Sequence, residues 1–126
     1  MSKMEYFKNR IESTFSPMDY LQAKKTNPDN YILIDVRNGT PELKKEKING
    51  AIEIPQSELL NHLSEIPKDK EIIVYCWDVW CNTAAKVAIV LLEHGFSVKE
   101  LSGGIASWKT MNLPTTSLLG FNECGC

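Results

Sequence analysis

A chain of 126 residues with 43% hydrophobic and 24% charged content can bury one core without covalent staples, and a second domain is not expected. Its formal net charge of -2, with twelve lysines interleaved among glutamates, provides no basic face for nucleic acid or an anionic membrane. Residues 1–14 lack the apolar core of a signal peptide and the longest apolar run, Val87 to Leu92, is too short to span a bilayer, so the expected setting is cytoplasmic.

Met4, Phe7, Lys8 and Ile11 recur at helical spacing, which predicts a short amphipathic extension over residues 2–12. Ser16 and Pro17 form an N-cap and first-turn pair for a helix reaching about Lys25, and Thr26-Asn27-Pro28-Asp29-Asn30 breaks it. Tyr31 to Val36 is a continuous apolar run closed by Asp35 and Arg37, as a strand buried on both faces reads in a parallel sheet. After a turn at residues 38–41, residues 42–47 are a short charged helix or a solvated loop. Residues 48–55 then turn at Gly50 into a short strand.

Gln56 to Ser64 reads as a helix with Leu59, Leu60 and Leu63 turned inward, followed by an exposed connection over residues 66–70. Ile72 to Tyr75 is a wholly apolar strand ending on Cys76. A tight loop leads from it into a helix over Asn82–His94, whose apolar face carries Ala84, Ala85, Val87, Ala88, Leu91 and Leu92, with Gly95 as its left-handed cap. Phe96 to Leu101 is the next strand, residues 102–104 a turn, and Ile105 to Met111 a last helix bearing Trp108. Strands alternating with helices at this rhythm predict an α/β domain with a mostly parallel sheet covered on both faces.

Cys76 stands where a strand's carboxyl end meets a helix amino end, in the field of aligned backbone dipoles and unpaired N–H groups, a setting that favours a thiolate. Trp77, Asp78, Val79, Trp80, Cys81 and Asn82 complete the loop, with no basic residue among them. The two tryptophans either wall a pocket, greet a partner, or fold back onto the core. Without a motif for His62 or His94, a Cys-His pair is not expected, and no cofactor or metal-ligand set is found in the core of the sequence.

Four segments occur in order: Asp35-Val36-Arg37; Ile48-Asn49-Gly50-Ala51-Ile52-Glu53-Ile54-Pro55; Val74-Tyr75-Cys76 with its loop; and Leu101-Ser102-Gly103-Gly104-Ile105-Ala106-Ser107-Trp108. Together they resemble the landmarks of a rhodanese domain from about Ser16 to Pro114. The resemblance implies a single rhodanese-like domain over 1–126, with a core at about 16–114, a helical extension at 1–15 and a tail at 115–126. It also implies a sulfurtransferase whose Cys76 carries sulfane sulfur as a persulfide, taken from a thiosulfate or persulfide donor and passed to a thiol or other nucleophilic acceptor. Asp35 and Arg37 match the pair that braces the active-site loops in the family; the alternative is a surface ion pair of small value. Backbone N–H groups of residues 77–82 would cradle the sulfur.

Three departures from the family pattern bear on that reading. Lys47 stands where a histidine is usual. The loop lacks the arginines that often hold an oxyanion, and Asp78 would oppose an anionic substrate, so a protein or small-molecule persulfide suits this chain better than thiosulfate. The spacing Cys76-x4-Cys81 resembles a subgroup with a second loop cysteine. There Cys81 is an accessory thiol that attacks the persulfide, or it packs and caps the helix start.

A phosphatase of the same fold would need an arginine six residues after the cysteine, where this chain has Asn82. Two rivals stay open: a non-enzymatic carrier of sulfur or soft metal that uses Cys124 and Cys126 of the Cys-Gly-Cys tail, and an inactive interaction module of the same fold. Oligomeric state is not legible.

Overall fold

Two capping boxes set the start of the chain in the computed structural model, which describes residues 1–120. Ser2 and Glu5 exchange hydrogen bonds at the start of α1 (Lys3–Ser13), and Ser16 and Asp19 do the same for α2 (Pro17–Thr26), whose Pro17 occupies the first turn. No residue of α1 is buried, so the stripe of Met4, Phe7 and Ile11 faces solvent. Between the two helices, Thr14–Phe15 forms a short strand, β1, which the sequence did not announce.

The chain continues through β2 (Tyr31–Asp35), α3 (Pro41–Lys44), β3 (Glu46–Ile48) and β4 (Ile52–Glu53). The helix expected over residues 56–64 is instead a 3-10 turn, the short helix α4 (Leu59–His62) and a second 3-10 turn. This winding turns Leu60 outward, 68% exposed, contrary to the expectation, while Leu59 stays in the core. Ile66, expected on an exposed connection, is buried. Next come β5 (Glu71–Tyr75), α5 (Thr83–Glu93), β6 (Ser97–Leu101), α6 (Gly104–Thr110) and β7 (Thr115–Ser117).

Five strands form one sheet in the order β1-β6-β5-β2-β4, and every pairing in it is parallel. The expected α/β fold with a parallel sheet is therefore found. β3 and β7 make a separate antiparallel ribbon, in which Ile48 pairs with Thr115 and Glu46 with Ser117. It escaped sequence reading because residues 115–117 are polar and carry no periodicity.

Alternation along β5 divides the core. Ile72, Val74 and Cys76 face one way, into a cluster with Leu59 of α4 and Ala84, Val87 and Leu91 of α5. Ile73 and Tyr75 face the other, against Tyr20 of α2 and Ile105 and Trp108 of α6. Helices thus cover both faces. Leu92, expected on the buried face of α5, is exposed, since that face is fixed by residues 84, 87 and 91 at the 3-4 spacing of one stripe. Trp108 is core, its indole N–H donating to Pro114 O at 2.8 Å. No helix among the described residues is long and apolar enough to cross a membrane.

Candidate functional site

β5 is the central strand, and in parallel sheets the carboxyl edge is where loops gather to bind ligands. Register places Asp35 of β2 beside Tyr75 of β5, one residue before Cys76. The loop after Cys76 is fastened to α6: Ile105 N–H donates to Cys76 O at 3.1 Å and Ala106 N–H to Trp77 O at 2.9 Å. Such a close approach requires glycine at 104, whose φ is +59° and where a Cβ would lie 2.4 Å from Cys76 O.

Cys76 is joined to Cys81 by a disulfide, with Cα atoms 6.3 Å apart. In this oxidised form Cys76 is 3% exposed and packs in the apolar cluster beneath α5. Two of the loop amides serve the loop itself: Trp80 N–H donates to Asp78 Oδ1 at 3.0 Å and Cys81 N–H to Asp78 O at 3.3 Å. The cradled, exposed thiolate expected from the sequence is thus not what the disulfide form presents. Thr83 starts α5, and Asn82 at its N-cap makes no side-chain capping bond.

The two tryptophans part ways. Trp77 is half-buried, touching both core clusters, with the Arg37 guanidinium 4.5 Å from its ring centre. Trp80 is 84% exposed and Val79 is also exposed.

Asp35 and Arg37 are buried, which sets aside the surface ion pair. Arg37 is 1% exposed; its Nη2 lies 2.7 Å from Asp35 Oδ2 and 2.6 Å from Glu46 O, while Nε spans both Asp35 oxygens at 3.0 and 3.1 Å. Asp35 also accepts from Arg37 N–H at 3.0 Å and from the Tyr75 hydroxyl at 2.8 Å, and that hydroxyl accepts from Ile48 N–H at 2.9 Å. Burial, with the Asp35 charge beside it, pushes the Tyr75 phenol well above its usual range. Lys47, standing in the usual histidine position, closes the turn below by donating to Ala51 O at 2.7 Å.

A cavity of about 210 Å³ lies beside the loop, lined by Trp77, Asp78, Arg37, Lys44, Ile105 and Lys109 among others. The basic groups missing from the loop sequence therefore approach it from other elements. Spacing along the chain carries no signal for this, because residues 37, 44 and 109 meet only through the tertiary fold. The two histidines are engaged elsewhere: His94 Nδ1 contacts Val90 O at 2.8 Å and His62 lies between Glu58 and Glu65. No cluster of three His, Cys, Asp or Glu suited to a metal occurs among the described residues. Cys124 and Cys126, and with them the tail's suggested carrier role, lie outside the described residues.

Residues 18–111 match the Rhodanese-like domain, three-quarters of the chain. The chain belongs to the rhodanese-like domain family. Among relatives of this rhodanese-like domain is a protein named sulfurtransferase from Allochromatium vinosum, 29% identical over 108 residues, covering 84% of this chain and 92% of the relative. An HTH-type transcriptional regulator of Mycobacterium tuberculosis is 35% identical over 82 residues, 65% of this chain. That match spans only 36% of the regulator's length. A crystal structure of a full-length Lactobacillus plantarum protein superposes with a TM-score of 0.85 at 30% identity, covering 91% of this chain and 96% of that one.

Proposed function

We propose that this rhodanese-like domain is a sulfurtransferase that carries sulfane sulfur on Cys76 and uses Cys81 as its resolving thiol. The observation that supports it most is the bond between Cys76 and Cys81 across the loop at the carboxyl edge of the central strand. Family membership and the likeness to a protein named sulfurtransferase support the same class of chemistry. The unit that carries the role is the segment of about residues 16–114.

Once an external thiol has reduced the disulfide, the Cys76 thiolate attacks the outer sulfur of a persulfide donor, and the donor leaves as a thiolate. Cys76 now bears the sulfane sulfur, which a nucleophilic acceptor removes by attack on that outer atom, returning the thiolate. Without an acceptor, Cys81 attacks Cys76 Sγ and hydrosulfide leaves. Two electrons pass from the cysteine pair to the sulfane sulfur, and the pair ends as the disulfide. Reduction also frees the loop to re-aim its amides at the sulfur, a thiolate-stabilising role that the disulfide form suspends. Asp35 and Arg37 support the loop from beneath, through Trp77.

Intact-mass spectrometry tests this reading. Reduced parent protein and the Cys76→Ser and Cys81→Ser variants are exposed to thiosulfate or to a small-molecule persulfide. The parent is expected to release sulfide and return to the disulfide, Cys81→Ser to retain one added sulfur atom, and Cys76→Ser to gain none. Equal sulfur uptake by Cys76→Ser would end the proposal for Cys76, and unchanged thiol-free sulfide release by Cys81→Ser would end it for Cys81.

A further inference from the structure

The chain carries its four cysteines as two pairs: Cys76 and Cys81, joined across the loop, and Cys124 and Cys126, in the segment beyond the described residues. Whenever the loop pair ends oxidised, some thiol must return two electrons to it. Accessibility decides which loop sulfur receives the attack. Cys76 is 3% exposed, whereas Cys81 is only half-buried. A thiolate arriving from outside meets Cys81 Sγ first, and the sulfur it displaces is Cys76. That is also the better leaving group, because the end of β5 and the start of α5 favour Cys76 as a thiolate, and a sulfur of low pKa leaves faster.

The end of the described chain is held beside that loop. β7 pairs with β3 so that Ser117 stands opposite Glu46, and Leu118 N–H donates to Lys45 O at 2.8 Å. Glu46 and Lys44, the two neighbours of Lys45, line the cavity of about 210 Å³ that Trp77 and Asp78 also line, and Asp78 O accepts from Cys81 N–H at 3.3 Å. The ribbon thus delivers the chain to the cavity that borders the loop. Cys124 is four residues past Gly120 and Cys126 six, spans of at most about 14 Å and about 21 Å for extended chain. Both exceed the width of a cavity of that volume, so the tether is long enough to bring a tail sulfur to the loop. A thiol tethered at that range acts at an effective concentration on the order of mM.

We propose that Cys124 and Cys126 form an internal dithiol that reduces the Cys76–Cys81 disulfide. One tail thiol loses its proton to solvent and attacks Cys81 Sγ; a bond forms between the tail sulfur and Cys81, and the Cys76–Cys81 bond breaks with Cys76 leaving as the thiolate. The second tail thiol, likewise deprotonated, attacks the first tail sulfur, and Cys81 leaves as a thiolate that takes a proton from water. The tail ends as a Cys124–Cys126 disulfide and the loop as a reduced pair, two electrons having passed from tail to loop. An external thiol compound then reduces the tail, so its point of entry moves away from the half-buried loop. Use of this exchange in turnover rests on the sulfurtransferase reading; the exchange itself needs only the loop disulfide.

Two measurements on the full chain test this, with no sulfane donor present. In the first, oxidised protein is treated with limiting glutathione, quenched with an alkylating agent, and mapped by peptide mass for the Cys76–Cys81 pair. Loop reduction is expected to be at least tenfold faster in the parent than in Cys124→Ser/Cys126→Ser, with circular dichroism showing both folds intact. In the second, Cys76→Ser/Cys124→Ser and Cys76→Ser/Cys126→Ser are mildly oxidised with diamide. At least one is expected to join Cys81 to its remaining tail cysteine within one molecule, in a yield independent of protein concentration. Equal reduction rates in the first measurement, or in the second a bond to Cys81 that forms only between molecules or in neither variant, would each overturn the proposal. Neither readout involves sulfur transfer, so a failure of Cys76 to take up sulfur leaves the exchange standing. A failure here leaves Cys76 chemistry standing, with an external thiol acting on the loop directly.

Discussion

The Tyr75 hydroxyl sits 2.8 Å from Asp35 Oδ2 and 2.9 Å from the amide nitrogen of Ile48, bridging the carboxyl edge of the sheet to the β3–β7 ribbon. Three segments far apart in sequence are locked by one oxygen, and the residue that bears it immediately precedes Cys76. The same carboxylate holds Arg37, which in turn stacks on Trp77, so Cys76 is flanked on both sides by residues tied to Asp35.

Tyr75→Phe should therefore cost about 1–3 kcal/mol at neutral pH, because it strands the buried Ile48 N–H without an acceptor. Urea denaturation measures it. The phenol's raised pKa adds a pH signature. The folded state holds the Tyr75 proton at a pH where the unfolded chain has lost it, so this contribution is intact below the ordinary phenol pKa of about 10 and declines as pH rises beyond it. The gap between parent and Tyr75→Phe should narrow above that pH; a gap independent of pH would show that the phenol is not held neutral by its site.

Tyr75 also marks the limit of what could be read from sequence. The apolar run 72–75 gave the strand and its burial, since hydrophobic content alone specifies both. It could not say that a phenol in that run ends on a carboxylate forty positions away, because register across parallel strands is set by the crossover helices and by packing. Likewise Asp35 and Arg37 stood out through their motif, whereas Lys44 and Lys109 looked like ordinary surface charges until folding brought them to one cavity. The expected inward Leu60 and Leu92 failed for a related reason: an apolar residue off the buried stripe has the same letter as one on it.

Glu100 offers a test of a half-buried charge away from the loop. It lies on β6, in register with Thr14 on one side and Val74 on the other, and burial raises its carboxyl pKa. A raised folded pKa means that the ionised form is penalised by folding. The contribution is favourable below the unfolded carboxylate pKa of about 4.3 and is lost as pH rises through the folded value. Glu100→Gln should thus be more stable than the parent at pH 7, with the difference vanishing below about pH 4. Thermal melts across that range decide it, and equal melting temperatures at pH 7 would mean that Glu100 is solvated after all.

The two loop tryptophans should separate cleanly. Trp80 is exposed, so Trp80→Ala should shift stability by no more than about 0.5 kcal/mol. Trp77 touches both cores and covers Arg37, and Trp77→Ala should cost about 2 kcal/mol or more by opening a cavity against both clusters. Comparable losses from both substitutions in guanidinium denaturation would place Trp80 against the fold in solution.

Gly104 is the narrowest point of the site. A Cβ there would lie 2.4 Å from Cys76 O and 2.8 Å from the Trp77 carbonyl carbon, both main-chain atoms that no rotamer change can clear. Gly50 makes the matched control: its φ of +85° is also left-handed, but an added Cβ meets nothing within 4 Å. Gly50→Ala should lose only the about 1–2 kcal/mol attached to that backbone conformation. Gly104→Ala carries the same conformational cost and must also push the Cys76–Trp77 segment off α6, lengthening the bonds from Ile105 and Ala106, for a further loss of about 1–3 kcal/mol. The displaced loop should also slow sulfur uptake by reduced protein in the intact-mass experiment, while Gly50→Ala leaves uptake unchanged. If the two variants prove equally stable and equally competent, the loop is not anchored through the start of α6.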